Sequence, residues 1–177
     1  MKKYSKYKET GIEWIGKIPE EWGVWKLSHL ATIYSGGTPD KGNPKYWDNG
    51  IIPWIASGEV NQEDIIHPTT LISKEGFENS SAKWIPKDSL VLALAGQGKT
   101  KGMVAYLRIE TTCNQSLSAI VPKKVNNRYL FYWLKSNYLN IRGLAGNEAR
   151  DGLNLEMIKE IKVPITVQSE QTIIADY

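Results

Sequence analysis

A chain of 177 residues, 41% hydrophobic and 23% charged with a net charge of +3, has the size and composition of one folded domain with its own core. Its single cysteine excludes an internal disulfide or a cysteine-rich zinc site, and two histidines are too few for a histidine-based metal centre. The chain has neither the apolar run of a membrane-spanning helix, roughly 18–20 residues, nor an apolar stretch after its basic N-terminus that would mark a signal peptide. We therefore expect a cytoplasmic protein.

The first part of the chain predicts loops and short elements that carry many aromatic residues. Residues 11–23 have a glycine or proline every few positions, which is typical of an ordered loop. Apolar residues at helical spacing predict a helix over residues 25–34, ended by two glycines. Residues 35–50 are rich in turn formers and predict a loop, and a short helix is expected over residues 72–79.

Apolar runs bounded by turn residues predict the strands of the domain. They cover residues 51–55, 90–95, 103–107 and 117–121. Pro53 has no amide hydrogen for a strand neighbour, so it would place the first of these strands at a sheet edge or a bulge. Residues 163–165 are also expected to be extended.

Three helices are predicted in the last third of the chain. Asn126 or Asn127 begins the clearest of them, whose apolar stripe continues to Ile141. Asn154 begins a further turn or two. Ser169 begins a final helix with no stop signal after it, and we interpret this segment as the start of a longer helix, because an isolated helix this short is marginal.

No motif in the sequence indicates catalysis. The glycine-rich segment before Thr100 resembles a phosphate-binding loop, but Ala93 stands where that motif needs its first glycine, and no helical pattern follows. A connection between two strands explains it better. Residues 43–46 are better explained as a turn than as a methyltransferase signature. His29 and His67 lie in no recognisable nucleophile context, so the sequence indicates no enzyme in this chain.

The net charge of +3 conceals one strongly basic segment. Residues 97–150 hold nine Lys and Arg residues against two acidic ones, a net +7, which indicates a polyanionic partner. Lysines on a glycine-rich loop suit phosphate contacts, while Asn and Gln side chains can bind adenine edges in a major groove. The candidate DNA contacts are Gln97, Lys99, Thr100, Lys101, Asn114, Gln115, Arg142 and Arg150, with Lys41 and Lys45 as further candidates. A second basic group surrounds the start of the predicted helix, at Lys123, Lys124 and Arg128.

Two other interpretations of the sequence remain open. Most charge clusters are solvated surfaces, and a charge scattered over opposite faces would favour a protein-interaction adaptor that does not contact DNA. A nucleotide-binding enzyme built on residues 96–100 ranks last. The tryptophans lie in apolar surroundings and are expected to be packing residues rather than platforms on which bases stack. They are Trp14, Trp22, Trp54, Trp84 and Trp133.

The order and spacing of several short motifs resemble one known family. These motifs are GIEWIGKIPEEW at 11–22, SGGTP at 35–39, GIIPWI at 50–55, SAKWIP at 81–86, GKTKG at 98–102, NQ at 114–115, VPI at 163–165 and SEQ at 169–171. Each is weak alone, but together they are similar to the specificity subunit of type I restriction–modification systems, from its amino-terminal target recognition domain to the start of its conserved helix.

The resemblance implies an α+β fold, a twisted mixed or antiparallel sheet with packed helices. Residues 1–165 would form the target recognition domain and residues 166–177 the truncated start of a conserved spacer helix. Such a subunit does no chemistry and reads half of a split double-stranded DNA target. It implies a methylation subunit and a restriction subunit as partners, which would hold S-adenosylmethionine and ATP, and no cofactor or metal in this chain. Only one recognition domain is present, so the resemblance implies either a fragment of a longer protein or a half-subunit that pairs with a second one. The family's base-reading loops vary, so no contact residue is carried over from it.

Overall fold

Over residues 4–96, 98–146 and 152–177, which the computed structural model describes, short strands alternate with short helices. The strands are β1 (Tyr7–Glu9), β2 (Lys17–Pro19), β3 (Gly23–Lys26), β4 (Ala31–Ser35), β5 (Ile52–Ile55), β6 (Asp64–Ile65), β7 (Thr70–Ile72), β8 (Leu90–Ala93), β9 (Val104–Leu107), β10 (Thr112–Cys113), β11 (Leu117–Pro122) and β12 (Lys162–Ile165). The helices are α1 (Leu27–Leu30), α2 (Lys74–Glu78), α3 (Asn127–Ser136), α4 (Tyr138–Gly143), α5 (Leu155–Glu160) and α6 (Gln168–Ala175). Two 3₁₀ turns cover Pro44–Tyr46 and Ser57–Asn61.

A five-stranded sheet forms the centre of the domain, in the order β4-β11-β8-β9-β6. The first four strands pair antiparallel and β6 pairs parallel to β9. Both faces of the sheet are covered, so its central strands are largely apolar, with Ser118 of β11 as a buried polar residue. In β8, Leu90 and Leu92 enter one core cluster and Val91 and Ala93 the other, as the two-residue period of a strand requires.

One face of the sheet packs against α3. Asn126 caps this helix by accepting a hydrogen bond from the Tyr129 amide, and the buried residues Leu130, Phe131 and Leu134 point to the sheet. The Tyr129 hydroxyl donates to the Pro164 carbonyl (2.7 Å), which fixes α3 to β12. The helix begins at the end of the sheet near residue 88 and runs toward the loop after β8, since the Asn127 side chain donates to the Asp88 carbonyl and the Tyr138 hydroxyl to the Lys99 carbonyl.

The other face of the sheet packs against a smaller sheet and the Ser57–Asn61 turn. This sheet has the order β10-β5-β7, with β10 parallel and β7 antiparallel to β5. Ile55, Val60 and Cys113 are buried between the two layers. Two antiparallel pairs, β1 with β2 and β3 with β12, complete the structure of the described residues. The predicted α+β class, with mixed and antiparallel sheets and packed helices, is therefore confirmed.

Several local predictions are confirmed, and three are wrong. The predicted strands around β5, β8, β9 and β11, the short helix α2 and the helices that begin after Asn126 and Asn154 are all present. The predicted helix over residues 25–34 is only the four residues of α1, because the segments on either side are drawn into strands by β12 and β11. Pro53 lies in the middle strand of its sheet, not at an edge. Its lack of an amide hydrogen is tolerated because β10 pairs only with Trp54 and Ile55.

The third wrong prediction concerns the start of the last helix. Helix α6 begins at Gln168 with Val167 as its N-cap, so Ser169 lies inside it. A related difference affects the long predicted helix, which ends at Ser136 and resumes as α4. The buried Asn137 donates through Nδ2 to the Trp133 carbonyl (2.9 Å), and this side-chain bond competes with the helical ladder at that point.

Candidate nucleic-acid interface

Three loops meet at one end of the five-stranded sheet. The register places the end of β4, the end of β8 and the start of β11 side by side. The loops at residues 36–50, 94–102 and 114–116 therefore leave the same end, which we call the loop end. Backbone hydrogen bonds join them, from the Leu94 amide to the Ser116 carbonyl (2.8 Å) and from the Gly37 amide to the Cys113 carbonyl (2.9 Å).

The loop at residues 36–50 holds Lys41 and Lys45 in exposed positions. Asn43 accepts a hydrogen bond from the Lys45 amide and begins the 3₁₀ turn, so the predicted turn is confirmed. Trp47 anchors the loop, because its indole N–H donates to the Asp40 carbonyl (3.0 Å) and its ring meets the Trp54 ring edge-on. The two lysines thus stand on an ordered loop.

The loop at residues 114–116 presents amide side chains beside that first loop. Asn114 accepts a hydrogen bond from the Ser116 amide through Oδ1 (3.2 Å), which leaves its NH₂ group as the part that can face a ligand. Gln115 is exposed and bonds to the Thr38 hydroxyl. An open cavity of about 560 Å³ lies between these two loops. It is lined by Thr38, Lys41, Trp47, Trp54, Ala56, Thr70, Asn114, Gln115 and Ser116.

The loop at residues 94–102 joins β8 to β9, as predicted for a strand connection. Lys99 is exposed and Thr100 half-buried, whereas Lys101 is only 5% exposed. A contact between Lys101 and DNA would therefore need this loop to change conformation. Arg142 is half-buried on α4, where its guanidinium donates to the carbonyls of Gly98 and Lys101. Two further candidates, Gln97 and Arg150, lie outside the described residues.

The basic segment does not form one continuous face. Lys123 and Lys124 follow the opposite end of β11, which we call the far end. Arg108 and Arg128 also lie there and both bind Asp64, at 2.7 and 2.5 Å. The charge of residues 97–150 is therefore divided between the two ends of the sheet, because antiparallel strands send neighbouring parts of the sequence to opposite ends. A scattered charge is the feature that would favour a protein-interaction adaptor, so the DNA interpretation depends on the loop end alone. Of the candidates, Lys41, Asn114 and Gln115 line one cavity at the loop end. Lys45 lies on the same loop as Lys41, and Lys99, Thr100 and the buried Lys101 lie on the adjacent loop, where Lys99 lines a separate cavity with Lys135 and Tyr138.

The tryptophan prediction holds with one exception. Trp54 is buried, and Trp14 and Trp133 stack on each other against the main core. Trp22 is half-buried beside the Tyr4 ring. Trp84 is the exception in its exposure, since it is 40% exposed, yet it still packs against Phe77.

Sequence reasoning did not select Thr38, Trp47 or Tyr138 as site residues. Thr38 and Trp47 line the open cavity, and Tyr138 bonds to the loop at residues 94–102. Thr38 lies in the SGGTP motif, which was the available signal. Trp47 and Tyr138 carried no signal in the sequence, since their roles depend on contacts made after folding.

Cys113 lies directly beneath the loop end. A Cβ on Gly36 would come within 2.5 Å of the Cys113 sulfur, so this glycine lets the first loop pass over the thiol. Burial raises the pKa of the Cys113 thiol to about 12, partly opposed by a hydrogen bond with the Gly36 backbone. The thiol is therefore protonated and unreactive at neutral pH.

The part of the chain that the structure describes holds no group of three or more metal-ligating side chains in a suitable arrangement. Within the same residues, no helix has the length and apolar character needed to cross a bilayer. Exposed lysines, amides and a hydroxyl instead converge on ordered loops above a rigid sheet. This combination of positive charge and amide side chains is suited to contact with a polyanion.

Residues 19–177 match the family described as the Type I restriction modification DNA specificity domain, and the chain belongs to this family. It is 28% identical to the MjaIX specificity subunit of Methanocaldococcus jannaschii, in an alignment that covers 97% of this chain and 39% of the relative. It is 27% identical to the EcoR124I/EcoR124II specificity subunit of Escherichia coli, over 93% of this chain and 39% of that protein. The chain thus spans about two fifths of the length of these relatives.

Solved structures support the same fold. The HsdS subunit of Thermoanaerobacter tengcongensis superposes with a TM-score of 0.70 at 15% identity, covering 97% of this chain and 38% of that one. The type I restriction–modification S subunit from M. genitalium superposes with a TM-score of 0.64 at 18% identity, over 88% and 37%. At these identities the likeness concerns the fold alone.

Proposed function

We propose that this chain reads one half of a split double-stranded DNA target through its loop end, as part of a type I specificity subunit. The observation that carries the proposal is the position of Lys41, Asn114 and Gln115 around one open cavity at the loop end, with the exposed Lys45 and Lys99 on the same set of hydrogen-bonded loops. Lysines neutralise phosphates and set the position on the duplex, while amide side chains read base edges in the major groove. The arginines of the far end are paired with Asp64 and serve the fold instead.

The proposal assigns chemistry to partner subunits. The chain acts without catalysis of its own. The specificity subunit directs two partners to the DNA target, a methylation subunit that binds S-adenosylmethionine and a restriction subunit that uses ATP. A split target requires a second recognition domain, supplied by the same polypeptide or by a second half-subunit. The complex acts in the cytoplasm, where it meets both host and incoming DNA.

The first test compares two exposed lysines at opposite ends of the sheet. Lys99→Ala should weaken duplex binding about equally for all sequences and lower the slope of log K against log salt by about 0.9, the value for one phosphate contact. Lys123→Ala, at the far end, should change neither quantity. Binding would be measured by fluorescence anisotropy at several salt concentrations, with the chain alone and with the methylation subunit of its own system. The proposal fails if the wild-type chain shows no salt-dependent duplex binding in either state, or if the two variants behave alike.

Base reading is tested at Asn114. Asn114→Asp keeps the Oδ1 acceptor for the Ser116 amide, and so keeps the turn, but it removes the NH₂ donor. Loss of a base contact should reduce the preference for the cognate site over a single-base variant by about 1–3 kcal/mol. Mapping of methylated adenines in host DNA gives the same readout in the cell. An unchanged methylation pattern would remove Asn114 from the reading surface.

A further inference from the structure

Three main-chain carbonyls of the loop at residues 94–102 are held by two side chains of α4. The Arg142 guanidinium donates to the Gly98 carbonyl through Nη2 (2.7 Å) and to the Lys101 carbonyl through Nη1 (3.0 Å). The Tyr138 hydroxyl, one turn earlier, donates to the Lys99 carbonyl (2.6 Å) and lies 3.5 Å from Nη1. One planar guanidinium thus spans the loop on either side of Lys99.

The loop needs such support because of its composition. Gly98 and Gly102 have positive φ angles of 60° and 86°, in the left-handed region that glycine adopts readily. A loop rich in glycine loses much conformational freedom when it is ordered. The guanidinium is suited to oppose this loss, since it has five donors in a fixed plane and forms charge-assisted bonds to carbonyls.

The loop also touches the main chain of α4 at its end. A Cβ on Gly102 would lie 3.2 Å from the Cα of Arg142, so the absence of a side chain allows this close approach. The loop therefore docks on α4 through both backbone contact and hydrogen bonds. The Lys99 carbonyl accepts the hydrogen bond from Tyr138, while the Lys99 side chain remains exposed.

We infer that Arg142 and Tyr138 are positioning residues, which hold the loop at residues 94–102 in its reading conformation, and that Arg142 does not contact phosphate. We call these hydrogen bonds from Arg142 and Tyr138 to the loop carbonyls the clamp. The existence of the clamp does not depend on the proposed function, but its effect on DNA binding does. The clamp revises the sequence-based assignment of Arg142 as a DNA contact. Because Nη1 and Nη2 both donate to carbonyls of its own chain, turning this face of the guanidinium to a phosphate would release the loop.

Amide hydrogen exchange tests the clamp without DNA. In the full chain, Arg142→Lys should speed exchange at the Gly102 and Met103 amides by about tenfold or more, because a lysine cannot bridge two carbonyls in one plane. Tyr138→Phe should have the same effect at smaller size. Lys99→Ala, whose side chain lies on the same loop but outside the clamp, should leave exchange unchanged. The urea midpoint and exchange in β11 serve as controls for global folding. Unchanged loop exchange in both clamp variants overturns the inference.

DNA binding then separates positioning from direct contact. If Arg142 positions the loop, Arg142→Lys and Arg142→Ala lose cognate-over-random discrimination to a similar extent, about tenfold, and Tyr138→Phe loses part of it without a change of charge. If Arg142 contacts phosphate, Arg142→Lys binds nearly as the wild type does, and only Arg142→Ala loses about 0.9 of the salt slope. That second pattern overturns the inference while leaving the proposed function intact. Absence of duplex binding by the wild-type protein counts against the proposed function instead. Amide hydrogen exchange then still tests whether Arg142 and Tyr138 hold the loop.

Discussion

Asp64 joins two arginines at the far end of the sheet. Its carboxylate accepts from Arg108 (2.7 Å) and from Arg128 (2.5 Å), whose side chain is 20% exposed. The Arg128 guanidinium also lies 3.8 Å from the centre of the Tyr106 ring, in cation–π geometry. This arrangement links β6, β9 and α3, so these arginines contribute to stability rather than to the recognition surface.

Removal of the Asp64 carboxylate should destabilise the domain without changing its affinity for DNA. Asp64→Ala leaves two neighbouring guanidiniums without their acceptor, and we expect the free energy of unfolding to fall by about 1–3 kcal/mol. Glu78→Ala is the control, because Glu78 forms an exposed pair with Lys74, and such a pair contributes at most about 0.5 kcal/mol. Urea unfolding followed by circular dichroism measures both values. If Asp64→Ala weakens DNA binding under conditions where it is fully folded, the separation of the two sheet ends is wrong.

At the scale of elements, a buried amide is a central attachment of α6 to the domain, beside the bonds of Glu170 and Thr172 to Tyr4 and Asn126. Gln171 is 2% exposed, accepts from the Asn126 amide through Oε1 (2.8 Å) and donates to the Thr166 carbonyl through Nε2 (2.7 Å). The first of these bonds also satisfies a backbone donor at the start of α3. Ile173 and Ile174 on the same helix remain exposed, so polar contacts have a large part in holding it.

Gln171→Ala should release α6. The substitution leaves the Asn126 amide and the Thr166 carbonyl without partners, at a cost of about 2–3 kcal/mol if both stay buried. Exchange of the α6 amides should rise strongly, with little change in β8 and β11. Gln168→Ala, at an exposed glutamine of the same helix, is the matched control. Equal exchange in the two variants would show that the helix is held by other contacts.

Elements defined by local signals could be predicted from the sequence, and those defined by distant partners could not. Helix α3 has a capping asparagine and an apolar stripe, and β8 is a short apolar run between turn residues, so both are specified locally. Residues 25–34 have a helical apolar period too, yet β12 and β11 convert most of them into strands. The pairing of β3 with β12 joins residues more than a hundred positions apart, beyond the reach of any local pattern.

The same limit applies to the candidate site at the scale of the whole molecule. Composition selected the loops at residues 94–102 and 114–116, because glycines, lysines and amides coincide there, and the structure places both loops at the same end of the sheet. Charge counted along the chain put Arg108 and Arg128 in one basic segment with the lysines of the loop end, although they pair at the far end with Asp64, which lies far earlier in the sequence. It also could not show that Arg142 turns toward its own chain. Side-chain direction is decided by packing, which sequence distance does not record.

Two buried acids make the stability of the whole domain sensitive to alkaline pH. Burial raises the pKa of the Cys113 thiol from its ordinary value of 9.0 to about 12, and it raises the pKa of the Tyr129 hydroxyl strongly as well. In the unfolded chain the thiol loses its proton near pH 9, whereas the folded protein keeps it. Deprotonation therefore stabilises the unfolded state, so the contribution of the thiol is complete below pH 9 and declines between pH 9 and about 12.

The free energy of unfolding should therefore fall as pH rises above 9, by up to about 1.4 kcal/mol per pH unit for each such group. Urea unfolding at pH 8, 9 and 10 measures the decline. Cys113→Ala should be less stable at pH 8, since it leaves a small cavity, but its decline toward pH 10 should be shallower than that of the wild type. Tyr177→Phe, at a residue that is 98% exposed, should leave the pH dependence unchanged. A Cys113→Ala curve parallel to the wild type would mean that the thiol ionises in the folded state. The loops above Cys113 would then be open to solvent, in conflict with the close packing of Gly36 over its sulfur.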